Sequence, residues 1–292
     1  MVKVAVIGPG AMGCLFAARI AQTGARVYLI DYRPERIRRL NLSGITVETD
    51  AGEIRGNMQV CAQAPIGIDL VIVLTKAFTT PTLRFSPSTA VLTLQNGLGN
   101  AEALAGRAGS NRILAGTTTE AATMISEGRV RHTASGTTLV GTWTTCPVEP
   151  TVELLNAAGF NTQVTESPGQ AIWEKVAINA GINPITALLN LPNGRILDLI
   201  ETRQLMRDLV VEAAKTASTE GYRFDHSLVE EAEEVCRTTA DNISSMLQDI
   251  RAGRKTEIEA ISGEILRRAT QAALPAPRTR TIYQLIRGLE QR

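Results

Sequence analysis

An apolar run, Val2 to Ile7, that ends in Gly8-Pro9-Gly10-Ala11-Met12-Gly13 constrains this chain more than any other feature. An uninterrupted apolar run closed by glycines predicts a strand buried on both faces of a parallel sheet. Ala11 to Gln22, closed by Gly24, then reads as a helix. A G-x-G-x-x-G at such a junction needs glycine for a tight turn, for close backbone approach to a pyrophosphate, and for close helix–strand packing. The helix behind it presents its first amide groups to the phosphates. An acid, Asp31, stands at the end of a second strand, Arg26 to Ile30. A glycine turn alone is a weak signal; strand, turn, Ala-rich helix and acid together predict a Rossmann-type dinucleotide site on residues Gly8 to Gly13.

The acid and its neighbours point two ways on the cofactor. Asp31 is placed to bind a free ribose diol, which argues for NAD(H). Arg33 and Arg36 follow at once and are placed to clasp a 2′-phosphate, which argues for NADP(H). For Arg36 alone the simpler reading is a solvated helix face.

At 292 residues two domains are expected. Pro34 opens a short Arg-rich helix that Gly44 stops, and residues 45–60 alternate around Asp50-Ala51-Gly52 as a β-hairpin. Leu70 to Leu74 and Ala90 to Leu94 read as two more strands. Pro81 and Pro87 between them leave little room for a crossover helix. Residues 113–142, rich in Thr, Val and Gly, suggest strands that finish the sheet. From Ser167 on, strand patterns vanish, and helices are expected at about 169–189, 195–220, 227–251, 257–273 and 279–290. The expected architecture is an α/β dinucleotide-binding domain over 1–166, then an all-α substrate-binding domain over 167–292.

Thirty basic against 29 acidic side chains leave no electrostatic footprint for nucleic acid and no polybasic membrane signal. The N-terminal run is too short for a signal-peptide core, and no apolar run reaches the roughly 18 residues of a membrane span. Cys14, Cys61, Cys146 and Cys236 are widely spaced, so neither metal nor disulfides are expected and buried free thiols in a cytoplasmic setting are. Apolar helical faces near the C-terminus are compatible with a homodimer but do not demand one.

Further segments carry a resemblance. They are Leu74-Thr75-Lys76-Ala77, Gln95-Asn96-Gly97-Leu98-Gly99, and Trp173-Glu174-Lys175-Val176-Ala177-Ile178-Asn179. The last continues as Gly181-Ile182-Asn183-Pro184-Ile185-Thr186-Ala187 and reaches Leu191-Pro192-Asn193-Gly194. Later come Asn242-Ile243-Ser244-Ser245-Met246-Leu247-Gln248-Asp249 and Thr256-Glu257-Ile258. From first strand to last helix the chain resembles the ketopantoate reductases of pantothenate and coenzyme A biosynthesis. The resemblance implies NADPH-dependent reduction of 2-dehydropantoate to (R)-pantoate in a cleft between two domains. It implies Lys175 as proton donor and Asn179, Asn183, Asn193 and Ser245 as substrate ligands. It places Lys76, Asn96 and Glu257 near the cofactor, Asn96 also near the substrate, and a backbone contact at Ala122. Two departures are visible: a short segment between Lys76 and Asn96, and Asp31 where some members place arginine.

The residues support part of this without the family. On a helix, Lys175, Asn179 and Asn183 are successive i, i+4 positions and share one face. A stripe of one lysine and two asparagines on an otherwise apolar helix is poor core, and solvated faces favour Glu, Lys and Arg over asparagine. Hydride delivery to a ketone leaves an alkoxide that needs a proton. A lysine whose pKa is lowered by its surroundings supplies one, and its charge steadies the oxyanion. Pro184 predicts a kink. Thr256-Glu257-Ile258-Glu259 has the form of a capping box, with Thr256 as N-cap and Glu257 in the first turn. His132 and His226 read as surface residues, and Glu230, Glu231, Glu233 and Glu234 as a solvated face. Two other readings stay open: reduction of another branched 2-oxo or 3-hydroxy acid on the same architecture, and a non-catalytic dinucleotide sensor.

Overall fold

Strand Lys3–Ile7 (β1) alternates its side chains between two cores, Val4 and Val6 into one, Ala5 and Ile7 into the other. Burial on both faces is what its unbroken apolar run requires. The computed structural model describes residues 1–56, 58–86, 88–107 and 112–291. The chain divides into two units, Met1–Gln95 with Asn100–Pro168, and Asn96–Gly99 with Gly169–Arg292. Residues 96–99 thus pack with the helical unit, although the sequence assigns them to the α/β part.

After β1 the first unit continues with α1 (Ala11–Gln22), β2 (Arg26–Ile30), α2 (Pro34–Ser43), β3 (Ile45–Thr49), β4 (Gly52–Gly56) and β5 (Gln59–Cys61). It then runs through β6 (Leu70–Val73), β7 (Ala90–Thr93), α3 (Asn100–Arg107), β8 (Ile113–Thr118), β9 (Ala121–Ser126) and β10 (Arg129–Ala134). It closes with β11 (Thr137–Thr142), α4 (Glu149–Ala157) and β12 (Asn161–Val164). The large sheet has the order β12-β11-β8-β7-β6-β1-β2-β5, parallel except where β11 meets β8. Helix α1 shares one core with Val4, Val6 and Leu29, whereas Leu104 of α3 lies in the core on the opposite face. This is a Rossmann-type α/β unit.

Two expectations are corrected here. The hairpin is β3–β4 alone; β5 leaves it and joins the large sheet parallel to β2. The strands of 113–142 do not all finish that sheet. β8 and β11 do, but β9 and β10 join β3 and β4 in a second sheet, ordered β4-β3-β10-β9. Its Val47 and Val130 share the core of Phe16 and Ala18 on α1, so the second sheet covers the outer side of that helix. Between β6 and β7 the described chain holds a 3₁₀ turn, Ala77–Thr82, around Pro81; Pro87 lies outside the described residues.

The helical unit begins with α5 (Pro168–Leu189) and continues as α6 (Arg195–Asp198), α7 (Ile200–Thr219), α8 (Leu228–Thr238) and α9 (Ser245–Arg251). A π-helical turn, Glu259–Gly263, leads into α10 (Glu264–Gln271), and α11 (Pro277–Leu289) ends the order. The long helices expected at 195–220 and 227–251 are each broken. Leu199 adopts extended backbone (φ −110°, ψ 121°), and Thr202 Oγ1 donates to the carbonyls of Ile196 and Leu199. Ser244 caps α9, its Oγ accepting from Leu247 N at 3.1 Å. Pro184 costs α5 one backbone donor, yet the helix runs on to Leu189. It ends where Asn190 takes a positive φ of 56°.

The acidic run on α8 is not uniformly solvated. Glu233 is buried and takes Arg203, Arg207 and Arg237 at 2.6–3.0 Å. Hydrogen bonding from Arg203 foremost holds its carboxyl down at about 2. No helix among the described residues is long and apolar enough to cross a membrane.

Candidate functional site

The glycine turn follows β1 because Gly8 takes a φ of +103°, which L side chains rarely adopt. A Cβ on Gly8 would lie 2.7 Å from Thr75 Cγ2, and one on Gly13 only 1.8 Å from the carbonyl oxygen of Gly8. Both positions are closed by backbone packing. Gly10 differs: an added Cβ there meets no protein atom within 4 Å. It is also the N-cap of α1, with no side chain capping the helix. Open space in front of uncapped amide groups suits an anion. Pro9, Ala11 and Met12 complete the turn.

Asp31 lies at the end of β2 and is buried. Its Oδ1 accepts from Arg33 N at 3.3 Å, whereas its buried Oδ2 has no hydrogen-bond partner. A buried carboxylate oxygen without a hydrogen bond beside a glycine turn suits a ribose hydroxyl. The residues present therefore fit a dinucleotide. Arg33 is exposed and lies against the ring of Tyr32. Arg36 corrects the reading of a solvated face. Its side chain is 21% exposed, its Nε stands 3.4 Å from Asp31 Oδ2 and 3.3 Å from Glu127 Oε1, and it donates to the carbonyl of Pro9. Lys76 follows β6 and precedes the 3₁₀ turn. Ala122 lies on β9, opposite His132 of β10.

His132 is not a surface residue, which corrects a second expectation. Its side chain is 5% exposed, with Nε2 2.6 Å from Glu120 Oε2 and Nδ1 3.2 Å from Arg19 of α1. Glu120 also accepts from Gly136 N at 3.1 Å. These partners come from separate elements, so no local pattern announces them. His226 is exposed and bonds Glu231 at 2.8 Å. Cys14, Cys61, Cys146 and Cys236 are unpaired, and burial pushes the Cys14 thiol up to about 12 and the Cys236 thiol up to about 11.

In the helical unit α5 brings the polar stripe together. From Val176 to Ala187 every residue except Asn179 is buried, Asn183 among them. Lys175 is partly buried, and loss of hydration lowers its pKa to about 8 against an opposing pull from the Glu257 carboxylate. Glu257 is buried and accepts from Asn96 Nδ2 at 3.3 Å. The loop bearing Asn96 is pinned to the π-helical turn by Leu98 N–H on the Ala260 carbonyl at 2.8 Å. The capping box forms only in part. Thr256 Oγ1 accepts from Ile258 N, but Glu290, not Glu259, takes the Thr256 N–H, at 2.8 Å. Glu259 instead takes Tyr283 Oη at 2.8 Å and pairs with Arg287.

Asn193 is buried, donates to Thr239 Oγ1 at 2.9 Å, and leaves its Oδ1 without a donor. Ser245 is exposed in the first turn of α9, whereas its neighbour Ser244 is buried and accepts from Thr186 Oγ1 at 2.7 Å. Sequence reasoning passed over Glu127, Glu120 and Ser244. Only the Ser244-to-Leu247 spacing of an N-cap offered a local signal.

Comparison with known proteins bears on these sites. Residues 4–145 match the family model "Ketopantoate reductase PanE/ApbA", and residues 169–290 match "Ketopantoate reductase PanE/ApbA C terminal". The 2-dehydropantoate 2-reductase of Halobacterium salinarum is 35% identical over 98% of each chain. That of Pyrococcus horikoshii is 34% identical over 99% of this chain and 97% of its own. Among solved structures, a PanE/ApbA family ketopantoate reductase from Ralstonia eutropha superposes with a TM-score of 0.90 at 27% identity, covering 99% of each chain. D-mandelate dehydrogenase, solved with NADH and anilino(oxo)acetate, reaches 0.91 at 24% identity over 99% of each chain, a likeness of fold.

Proposed function

The chain belongs to the ketopantoate reductase family, and we propose that it reduces 2-dehydropantoate to (R)-pantoate, with NADPH favoured over NADH by a narrow margin. The observation that carries this reading is Lys175, an ammonium group on a largely buried helix, aligned at i, i+4 spacing with Asn179 and Asn183. When bound, the reduced dinucleotide supplies a hydride. Lys175 holds the proton that the new alkoxide needs and gives it from Nζ to that oxygen. Before the transfer its charge draws electron density onto the carbonyl oxygen. Carboxamides at Asn179, Asn183 and Asn193 donate and accept without adding charge, which suits a hydroxylated carboxylate. The Oδ1 of Asn193, which lacks a hydrogen bond, supports its role as acceptor of a substrate hydroxyl, and the exposure of Ser245 supports a role at the polar end of the same molecule. Glu257, which accepts from Asn96, is assigned to the dinucleotide as an acceptor; Lys76 and the backbone at Ala122 are assigned to it within their own unit.

An assay with NADPH and NADH against a panel of 2-oxo acids tests the reading. Ketopantoate should give the highest kcat/KM. A higher value for mandelate's oxo acid or another branched 2-oxo acid would move the chain to a different substrate on the same architecture. No turnover with any of them, despite dinucleotide binding, would leave a sensor.

Two variants probe the ligand sets separately. Asn183→Ala should raise KM for ketopantoate by about tenfold or more, because an unpaired polar substrate group costs roughly 1–3 kcal/mol. An unchanged KM in a folded variant would reduce the stripe to packing. Asp31→Asn should raise the NADPH-to-NADH ratio of kcat/KM by about tenfold, since the carboxylate repels a 2′-phosphate and accepts from a free diol. A ratio that does not move would take Asp31 away from the ribose.

A further inference from the structure

We propose that Glu127, in the turn between β9 and β10, is a specificity-determining residue: it holds Arg36 and Arg39 away from a 2′-phosphate and so keeps NADH competitive with NADPH. The inference rests on the dinucleotide reading of the glycine turn but not on the identity of the oxo acid.

Glu127 takes Arg39 by a forked contact, Oε2 to Nε at 2.7 Å and Oε1 to Nη2 at 3.2 Å. The same Oε1 lies 3.3 Å from Arg36 Nε. Arg36 in turn reaches Asp31 Oδ2 at 3.4 Å and the carbonyl of Pro9 inside the glycine turn. The four side chains form one corner beside the expected ribose position, with two carboxylates against two guanidinium groups. Its formal charge is zero. A 2′-phosphate brings about −1.5 to −2 charges and three acceptor oxygens, so it needs cations with donors to spare. Arg36 has its Nε in ion-pair range of two carboxylates, though not hydrogen-bonded to either, and another donor on a backbone carbonyl, so its charge is already balanced, while the fork of Arg39 closes on Glu127. A 2′-hydroxyl asks only for an acceptor, and Asp31 Oδ2 is one without a hydrogen bond.

Glu127 does not arrive at this corner by a chance side-chain excursion. The next residue, Gly128, has a φ of +81°, and its carbonyl accepts from Thr46 N at 2.8 Å. A Cβ on Gly128 would lie 2.8 Å from the carbonyl oxygen of Gly44, so the turn is seated against the end of α2. β10 then pairs with β3 from Arg129 onward. The second sheet thus delivers an acid to the helix that follows the ribose-binding strand. Arg39 first, then Arg36 and Arg33, hold that carboxyl below the usual range, so it is ionised at neutral pH.

The test is nucleotide affinity, read by fluorescence titration of the whole protein with NADPH and with NADH, no oxo acid present. Glu127→Gln keeps the shape and removes the charge. The Kd for NADPH should tighten about tenfold relative to that for NADH, a gain near 1.4 kcal/mol. Adding Arg36→Ala to that variant should cancel most of the gain. Glu127→Ala gives a second route should the amide variant not fold, with melting curves as the check. A Kd ratio unchanged in both Glu127 variants, or NADH gaining instead, overturns the proposal. Failure of the unsubstituted protein to bind either nucleotide overturns the dinucleotide reading itself, which is a different outcome.

Discussion

Replacing Lys175 with Ala should lower kcat for ketopantoate reduction on the order of 10³-fold while leaving NADPH affinity unchanged. General acid catalysis by one positioned group is worth about 10²–10⁴, and loss of the charge at the developing oxyanion falls on the same step. The glycine turn and Asp31, which face the pyrophosphate and ribose, belong to the other unit and are untouched by the substitution. The pH dependence gives the sign. With its pKa lowered to about 8, Lys175 carries its proton below that value and loses it above. Reduction should therefore decline as pH rises through about 8. Oxidation of pantoate, which needs the neutral amine as base, should rise over the same interval. Lys175→Arg keeps the charge but holds its proton too tightly to give it up near neutrality. It should restore ketopantoate affinity without restoring turnover. Wild-type turnover in Lys175→Ala, or a reduction profile flat from pH 7 to 9, would take Lys175 out of the proton path.

The features legible in the sequence are those set by neighbours along the chain. The run before Gly8 reads as a strand because β1 is buried on both faces, and Ala11 to Gln22 reads as α1 to the residue. The α5 stripe is visible because i, i+4 spacing is local. Arg36, His132 and Glu233 were misread for the opposite reason. Each looks like a solvated polar residue in its own segment, and each is covered by partners from elsewhere: Glu127 on another sheet, Glu120 and Arg19 on a loop and a helix, three arginines on α7 and α8. Burial of a charge is decided by such partners; Asp31 and Arg237 are near Arg36 and Glu233 in sequence, but Glu127, Glu120, Arg19, Arg203 and Arg207 lie beyond the local window. The breaks at Leu199 and before Ser244 escaped notice because the flanking composition stays helical. What starts the next helix in each case is a hydroxyl bonded to backbone, Thr202 in the first turn of α7 and Ser244 as the N-cap of α9. Glu259 was expected to close a capping box on Thr256, but Glu290 from beyond α11 has that place.

Two glycines of the turn should respond in opposite ways to the same methyl group. Gly13→Ala puts a Cβ 1.8 Å from the carbonyl oxygen of Gly8 and 3.0 Å from its carbon, both backbone atoms. No side chain can yield, so α1 must lift from β1 and disturb the core that Val6, Leu15 and Phe16 share. Overpacking typically costs about 1–3 kcal/mol, and a clash with unyielding backbone falls at the upper end. The variant should melt several degrees lower or fail to accumulate, whether or not a cofactor exists. Gly10→Ala meets no protein atom within 4 Å and starts from a φ of −78°, open to alanine. Its folding should stay close to the parent's, the lower chain entropy of alanine offset by its being a poorer N-cap than glycine. A dinucleotide, however, brings its pyrophosphate against that backbone, where the methyl group would stand in its way. NADPH and NADH should both bind at least about tenfold more weakly, a loss on the order of 1.4 kcal/mol. Calorimetric melting of each variant, followed by titration of the Gly10 variant with both nucleotides, separates the two roles. Unaltered binding in a well-folded Gly10→Ala protein would mean that the open face of the turn receives no phosphate, and that its glycines serve only the packing of α1 on β1.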